Sequence, residues 1–212
     1  MSAAAVDNDV ILQVEAVTKV YPGTVALKEA SFSVRRGAVN VLVGENGAGK
    51  STMMKIIAGA EQPSTGRLLL DGQPIELASS SDALRHGIGI VFQELNLFPN
   101  LSIAENVFIA HEITRAGIDI DAGAQRRKVS ELLERLELDV SPDTLVEDLR
   151  IGQQQLVEIA KALAHDARIL ILDEPTSALS AAEVEVLFQV IADLKSHGVA
   201  IVYISHRLEE LI

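Results

Sequence analysis

The sequence contains no cysteine and no tryptophan, and aromatic residues make up only 3% of its 212 residues. Without cysteine, a disulfide framework and a thiolate metal site are both excluded, which agrees with a reducing compartment. With so few aromatic side chains, the core must be built from valine, isoleucine, leucine and alanine. Hydrophobic residues account for 48% of the chain, and this aliphatic composition is typical of buried parallel strands covered by helices.

Long apolar runs and an excess of positive charge are also missing. No stretch reaches the length of about 18 apolar residues that a membrane-spanning helix requires, and no basic segment followed by an apolar one opens the chain. The formal net charge of -12 opposes attraction to a phosphate backbone, so nucleic acid is a poor candidate partner. We therefore expect a cytoplasmic protein that reaches a membrane only through a partner.

Apolar runs and helical periods alternate along the chain. Runs of strand length occur at 10–17, 25–34, 39–44, 87–93, 168–174 and 199–205, and a short hairpin is centred on Asp71-Gly72. The run at 39–44 is continuously apolar, which predicts a buried strand. Alternation of this kind predicts an α/β fold with a mainly parallel sheet.

A helical block interrupts this alternation. From about residue 100 to 165 the apolar spacing is helical, and Ser102 and Glu105 are spaced as a capping box. We expect one domain over 1–212, in which an α-helical subdomain at about 94–165 is inserted and an antiparallel β subdomain accompanies the parallel sheet.

The stretch "GENGAGKST" at 44–52 matches the phosphate-binding pattern G-x-x-x-x-G-K-[ST] and stands between an apolar strand and a helix. Glycines let successive backbone N–H groups close around a phosphate, where a Cβ atom would obstruct the approach. Lys50 is expected to reach the β- and γ-phosphates of a nucleotide, and Ser51 to bind Mg²⁺. The predicted nucleotide-binding residues of this P-loop are Gly44, Glu45, Asn46, Gly47, Ala48, Gly49, Lys50, Ser51 and Thr52.

Two adjacent carboxylates follow a second apolar run. "RILILDE" delivers Asp173 and Glu174 at the carboxyl end of a strand, the edge where open α/β sheets bind ligands. Paired acids at a strand end can also be a solvated cap, and it is the P-loop upstream that favours a functional role. We expect Asp173 to lie on the Mg²⁺ side of the site and Glu174 to orient and deprotonate a water molecule.

The stretch "LRIGQQQ" at 149–155 leads into a helix, since apolar residues then recur with helical spacing at Leu156, Ile159, Ala160 and Leu163. A helix N-terminus presents unpaired N–H groups and the positive end of the helix dipole, and can therefore hold an anion. Taken alone, the stretch is better explained as a loop-to-helix junction in which Gly152 relieves strain.

In this order, the P-loop, "LRIGQQQ", "ILILDEPTSAL" and "YISH" resemble the nucleotide-binding domain of ABC transporter ATPases over nearly the whole chain. The segments "GIGIVFQELNLFPNLSIAENVFIA" and "IGQQQLVEIAKAL" are most similar to the ATPases of bacterial monosaccharide importers, at their N-terminal ATPase half. The resemblance implies a P-loop NTPase core and an ATP-hydrolysing subunit that energises the import of a sugar.

The resemblance also implies residue roles. Tyr21 would stack on adenine, Gln93 would link Mg²⁺ and the attacking water to the membrane partner, and Glu174 would be the general base. His206 would contact the γ-phosphate. In this family two ATPase domains enclose two ATP molecules, each bound by the P-loop of one domain and the signature of the other, here Leu149, Arg150, Ile151, Gly152 and Gln153.

Cofactors and partners follow from the same resemblance. It implies ATP and Mg²⁺ as cofactors, a second ATPase domain in tandem or as a homodimer, permease subunits on which the helical subdomain docks, and indirectly a periplasmic sugar-binding protein. The expected place is peripheral, on the cytoplasmic face of the inner membrane. Two other functions stay open: a nucleotide-binding module with little hydrolysis, and a soluble ABC ATPase acting on nucleic acid or the ribosome, which the acidic balance disfavours.

The sequence departs from the family pattern at several positions. Ser180 stands where the family usually has the aspartate of "SALD", although with Glu183 it still forms a capping box. In the signature, Arg150 replaces a serine and Ile151 a glycine, so we expect an impaired signature; the alternative is that Arg150 acts in trans as an arginine finger. The chain stops at "HRLEELI", where the family continues, so we expect a C-terminal truncation.

Overall fold

The computed structural model describes residues 8–45, 47–109, 111–115 and 119–205. Within these ranges the chain forms ten strands: β1 (Val10–Tyr21), β2 (Thr24–Arg35), β3 (Val39–Val43), β4 (Thr65–Leu70), β5 (Gln73–Ile75), β6 (Ile88–Val91), β7 (Thr114–Arg115), β8 (Asp119–Ile120), β9 (Ile169–Asp173) and β10 (Ala200–Ser205). The same ranges contain six α-helices: α1 (Lys50–Ile57), α2 (Ser80–Arg85), α3 (Ile103–Phe108), α4 (Ala122–Arg135), α5 (Ile151–Leu163) and α6 (Ala181–Ser196).

An antiparallel sheet has the strand order β2-β1-β4-β5. A tight turn at Pro22-Gly23 joins β1 to β2, and the predicted hairpin at Asp71-Gly72 joins β4 to β5. A bulge in β1 between Val14 and Val17, where Ala16 has a φ of +48°, lets both valines be buried although their spacing breaks the strand period. The predicted antiparallel β subdomain is therefore present.

A parallel sheet has the strand order β3-β10-β9-β6. Its central strands β9 and β10 are buried on both faces: Leu170 and Leu172 pack among the helices, whereas Ile169 and Ile171 pack on the side of the antiparallel sheet. Full burial of this kind explains why these strands read as continuous apolar runs.

β3 departs from the prediction of a buried strand. The side chains of Val39, Val41 and Val43 are 39%, 43% and 41% exposed. β3 pairs with β10 on one side and has no second neighbour among the residues that the structure describes. The prediction of burial was wrong because an apolar run does not reveal whether a strand lies at the centre or at the edge of a sheet.

The helices α3, α4 and α5 lie between β6 and β9 in the sequence, and they pack against one another. α3 begins at the predicted capping box, in which Ser102 Oγ accepts from the Glu105 N–H at 3.3 Å and Glu105 Oε2 accepts from the Ser102 N–H at 2.8 Å. The strands β7 and β8 form a small antiparallel ribbon in this block, which the helical spacing did not predict. In the described part of the chain, no helix is both long and apolar enough to span a membrane.

The carboxyl ends of the parallel strands meet at one edge of the sheet. Val43, the last residue of β3, pairs with Ser205 of β10, and Asp173, the last residue of β9, pairs with Ile204. β6 ends at Val91, shortly before Gln93, and pairs with β9 in the same direction. Three segments that are distant in sequence are thereby brought to one place.

Candidate active site

The P-loop wraps around its own lysine. Lys50 Nζ donates hydrogen bonds to the Gly44 carbonyl and, at 3.0 Å, to the Glu45 carbonyl. Gly47 has a φ of +84° with open space where a Cβ would stand, so glycine is needed there for the backbone conformation. α1 begins at Lys50, and its N-cap residue Gly49 has no side chain to cap the first helical amides. These amides are thus donors suited to an anion.

β2 packs against the P-loop at Gly49. A Cβ atom at this position would lie 2.6 Å from Leu27 Cδ2 and 2.7 Å from the carbonyl oxygen of Ala26. Gly49 also has a φ of +87°. Glycine is therefore required here both by the backbone conformation and by the close approach of the antiparallel sheet.

Asp173 and Glu174 lie at the carboxyl end of the central strand β9 of the parallel sheet. Burial raises the pKa of Asp173, the negative charge of Glu174 raises it further, and the positive charge of Lys50 opposes this shift. Glu174 has a φ of +47°, and its N–H donates to the Ile204 carbonyl at 3.0 Å. A left-handed conformation is uncommon for glutamate and is held in place here by the pairing with β10.

A cavity of about 360 Å³ joins the P-loop to these carboxylates. It is lined by Thr24, Val25, Ala26, Gly47, Gly49, Lys50, Ser51, Thr52, Gln93, Asp173 and Glu174. Eight of these were predicted from the sequence. The wall formed by Thr24, Val25 and Ala26 was not predicted, because these residues carry no motif. The one sequence signal for them is that they follow Tyr21 closely in the first hairpin.

Tyr21 is fixed beside the P-loop by polar contacts. Its hydroxyl donates to a Glu61 carboxylate oxygen, and Lys19 Nζ lies 5.2 Å from the centre of its ring. The hydrogen bond to Glu61 raises the pKa of Tyr21, as do burial and the carboxylate charge, whereas a hydrogen bond with Thr52 of the P-loop lowers it. The ring is therefore next to α1 but outside the residues that line the cavity.

The turn from Leu149 to Gln153 does not line this cavity. Leu149 is buried, whereas the side chains of Arg150 and Ile151 are exposed. Arg150 is the N-cap residue of α5, and its N–H donates to Gln153 Oε1 at 3.0 Å. The predicted helix N-terminus is present, and none of the residues 149–153 lines the cavity with Lys50.

Glu183 contacts this turn from α6. The Gly152 N–H donates to Glu183 Oε1 at 3.1 Å. The predicted capping box at Ser180 is present as well: the Ser180 N–H donates to Glu183 Oε2 at 2.9 Å, and Glu183 N–H donates to Ser180 Oγ at 3.4 Å. Hydrogen bonds from Ser180, then from Gly152, and the charge of Arg150 lower the pKa of Glu183. Sequence reasoning identified Glu183 only as a capping residue.

A second carboxylate of note is buried on α5. Glu158 Oε1 accepts from the Asn96 N–H at 2.5 Å, and Lys161 Nζ donates to the Asn96 carbonyl at 3.2 Å. Both side chains thus hold the segment that follows Gln93. Burial raises the pKa of Glu158, while Lys161 and the Asn96 N–H oppose the shift. The sequence offered no signal for this burial, because at 100° per residue Glu158 lies on the side of α5 opposite the apolar face of Leu156 and Ile159.

Two predicted site residues, Asn46 and His206, lie outside the described residues. Among the residues that the structure describes, no three histidine, aspartate or glutamate side chains lie together as a ready metal site. Asp173, Ser51 and Gln93, the predicted Mg²⁺-binding residues, would need oxygen ligands from elsewhere to complete the shell of the ion.

Comparison with known proteins points to one family. A family model described as "ABC transporter" matches residues 27–177. The chain is 54% identical over 206 residues to the ribose import ATP-binding protein RbsA of Rhodopirellula baltica, an alignment that covers 97% of this chain and 40% of that protein. A putative ribose/galactose/methyl galactoside import ATP-binding protein of Agrobacterium fabrum is 49% identical over 208 residues, covering 98% of this chain and 41% of that protein.

Solved structures agree on the fold. A nucleotide-free ATP-binding cassette from an ABC transporter has a TM-score of 0.85 at 26% identity, covering 95% of this chain and 83% of that one. The dimeric structure of a bacterial ABC transporter cassette has a TM-score of 0.79 at 29% identity, covering 94% of this chain and 90% of that one. The chain spans about 40% of the length of the curated relatives named above.

Proposed function

The chain belongs to the ABC transporter family, and from this premise we propose that it is an ATP-binding and ATP-hydrolysing part of a bacterial sugar importer. The observation that carries the proposal is the cavity in which Lys50 and Ser51 of the P-loop face Asp173 and Glu174. The names of its relatives, which are ribose and galactose import proteins, support a monosaccharide as the transported substrate.

The cavity suits the phosphates of ATP. The amides at the start of α1 would bind the β-phosphate, and Lys50 would exchange the carbonyls of Gly44 and Glu45 for the β- and γ-phosphate oxygens. Mg²⁺ would be held by Ser51 and Asp173, with Gln93 beside them, and would neutralise charge that develops on the phosphates. The raised pKa of Asp173 supports this assignment, because a cation would compensate its buried charge.

Glu174 would act in the chemical step. Its carboxylate would orient a water molecule and accept its proton while the water oxygen bonds to the γ-phosphorus and the bond to ADP breaks. The left-handed backbone at Glu174, held by β10, would place the carboxylate beyond the strand end. ADP and phosphate are the products.

The site would be completed by a second ATPase domain. The turn from Leu149 to Gln153 is separate from the cavity of its own chain, which supports its use against the nucleotide of a partner domain. Tyr21 would meet the adenine from its fixed position next to Thr52. Permease subunits would dock on the helical block, and the protein would be peripheral at the cytoplasmic face of the membrane.

The first prediction separates ATP binding from ATP hydrolysis in the intact protein assembled with its membrane subunits. Lys50→Ala removes the phosphate ligand, so ATP affinity measured by calorimetry should fall by at least about tenfold. Glu174→Gln keeps the shape and removes the base, so hydrolysis should fall by about 10²-fold or more while binding survives.

Two exposed residues of α6 provide matched controls. Lys195→Ala and Glu185→Gln remove the same charges at exposed positions that do not line the cavity, and both should leave binding and hydrolysis unchanged. Undiminished binding in Lys50→Ala would overturn the assignment of the site. Strong binding without hydrolysis in the wild type would favour a nucleotide-binding module over a motor.

A further inference from the structure

The carboxylate of Glu183 connects two turns that belong to different functional segments. Its Oε2 accepts from the N–H and the hydroxyl of Ser180, at 2.9 and 2.7 Å, and so caps α6. Its Oε1 accepts from the N–H of Gly152, in the first turn of α5, at 3.1 Å. Both carboxylate oxygens are thereby engaged, one at each helix N-terminus.

Gly152 makes room for this carboxylate. A Cβ atom at Gly152 would lie 2.4 Å from Glu183 Oε1, 2.6 Å from Cδ and 2.7 Å from Cγ. Gly152 lies inside a helix and is not among the glycines with a positive φ, so its backbone does not demand glycine. Within this chain, the contact with Glu183 is one demand for glycine at this position, since a methyl group would push the Glu183 side chain aside.

Arg150 contributes charge to the same place. Its positive charge favours the ionised carboxylate of Glu183, and the two side chains line one small cavity of about 170 Å³ with Gly152. A capping box needs only a glutamate or glutamine at this position. The contact with Gly152 and the neighbouring Arg150 are features that capping alone does not require.

The segment between Glu174 and Ser180 is short and internally hydrogen-bonded. The Ser177 N–H donates to the Glu174 carbonyl at 3.2 Å, and the Leu179 N–H donates to the Thr176 carbonyl at 3.1 Å. Residues 175–178 form hydrogen-bonded turns, which shorten the path through which a displacement at Ser180 would reach the backbone at Glu174.

We propose that Glu183 is a positioning residue that locks the signature turn, residues 149–153, to the loop carrying Glu174, so that both turns move as one unit during ATP hydrolysis. The inference rests on the function proposed above. In a pair of ATPase domains, the signature turn faces the partner's nucleotide while Glu174 serves its own, and Glu183 joins these two tasks within one chain. Glu183 is not among the residues that line the cavity with Lys50 and Glu174.

The test compares kcat and KM for ATP in the intact, assembled protein. Glu183→Gln keeps a side chain able to cap α6 but removes the charge and one acceptor, so kcat should fall about tenfold. KM should stay within about twofold, because the P-loop is untouched. Glu185→Gln, on the same helix and exposed, should behave as wild type. A Glu183→Gln enzyme with wild-type kcat would overturn the inference.

A double substitution tests the role of Gly152. Gly152→Ala alone should lower kcat because the new methyl group displaces Glu183. Adding Glu183→Ala removes the clash, so the double variant should match Glu183→Ala alone and the two losses should not multiply. Multiplied losses would mean that Gly152 is needed only for the partner's phosphate, which contradicts the inference.

The outcomes also distinguish this inference from the proposed function. If the wild type does not hydrolyse ATP, or if Lys50→Ala does not reduce its hydrolysis, the proposed function and the inference are both refuted. An active wild type with normal Glu183 variants would refute the inference alone. Thermal unfolding of each variant shows whether it is folded. If Glu183→Ala is unfolded, Glu183→Asp takes its place in the test. Aspartate keeps the charge but has a shorter side chain, so kcat should fall in part.

Discussion

Glu158 shows how one residue can be held in place at a cost in stability. Its carboxylate accepts a hydrogen bond from the Asn96 N–H at 2.5 Å and lies near Lys161, yet burial dominates and raises its pKa. A carboxyl group whose folded pKa is raised contributes stability below its ordinary value of 4.5, and this contribution is lost as the pH rises through the folded pKa. Burial of Glu158 therefore costs stability as the pH rises above 4.5.

Glu158→Gln should stabilise the protein at alkaline pH. The amide oxygen can still accept from Asn96 and glutamine does not titrate, so at pH about 8 the free energy of unfolding should rise by about 1 kcal/mol. The difference from wild type should vanish below pH about 4, where Glu158 is protonated in both states. Urea denaturation across this range measures it. Glu131→Gln, exposed on α4, should show no such pH dependence, and a destabilised Glu158→Gln at pH 8 would contradict this account.

At the scale of elements, two helices begin at serine caps of similar type but different surroundings. Ser102 caps α3 and is buried, and its neighbour Ile103 donates its N–H to the Thr144 carbonyl at 2.9 Å. Ser79 caps α2, is exposed, and accepts from the Asp82 N–H at 3.2 Å. Water can replace the serine hydroxyl at α2 but not at α3.

Ser102→Ala should therefore cost more stability than Ser79→Ala. Loss of a capping hydroxyl lowers the free energy of unfolding by about 1 kcal/mol on average, and the buried cap should reach about 2 kcal/mol while the exposed one stays near 0.5 kcal/mol. Urea denaturation of both variants at one pH measures the difference. Equal losses would show that burial of the cap contributes nothing.

Elements with regular local signals could be predicted from the sequence. β9, the apolar face of α5 and the capping boxes at Ser102 and Ser180 are each encoded within a few neighbouring residues. The exposed edge of β3 and the ribbon of β7 and β8 could not be predicted, because both depend on which strands become neighbours.

The same distinction applies to the candidate site. The P-loop and the pair Asp173 and Glu174 are contiguous motifs, and they do meet at one cavity. The wall at Thr24–Ala26 and the contact between Glu183 and Gly152 join segments that are far apart in the chain. The residue types at those positions do not indicate either contact, so both could be found only from the fold.

For the whole molecule, the cavity is a junction between separate layers. Ala26 belongs to the antiparallel sheet, Lys50 to the P-loop, and Asp173 to the parallel sheet. A ligand that touches all of them stabilises the folded chain as a unit by mass action. ATP bound at 100 times its Kd should add about 2.7 kcal/mol.

Saturation with a non-hydrolysable ATP analogue and Mg²⁺ should raise the Tm by about 5–10 °C, given the size of the chain. Differential scanning calorimetry measures the shift. Lys50→Ala should abolish it, whereas Lys28→Ala, exposed on β2, should retain it. A Tm that is independent of the analogue in the wild type would argue against binding across these layers.

The helical block leaves and re-enters the parallel sheet at adjacent strands, since β6 and β9 are hydrogen-bonded neighbours. The entire block is one long connection between two strands that pair directly with each other. The length of this block can therefore change between Gln93 and the signature turn, residues 149–153, while β6 and β9 keep their register and Asp173 keeps its place. Under the proposed function, such changes would alter the surface that docks on a permease and would spare the residues around the cavity.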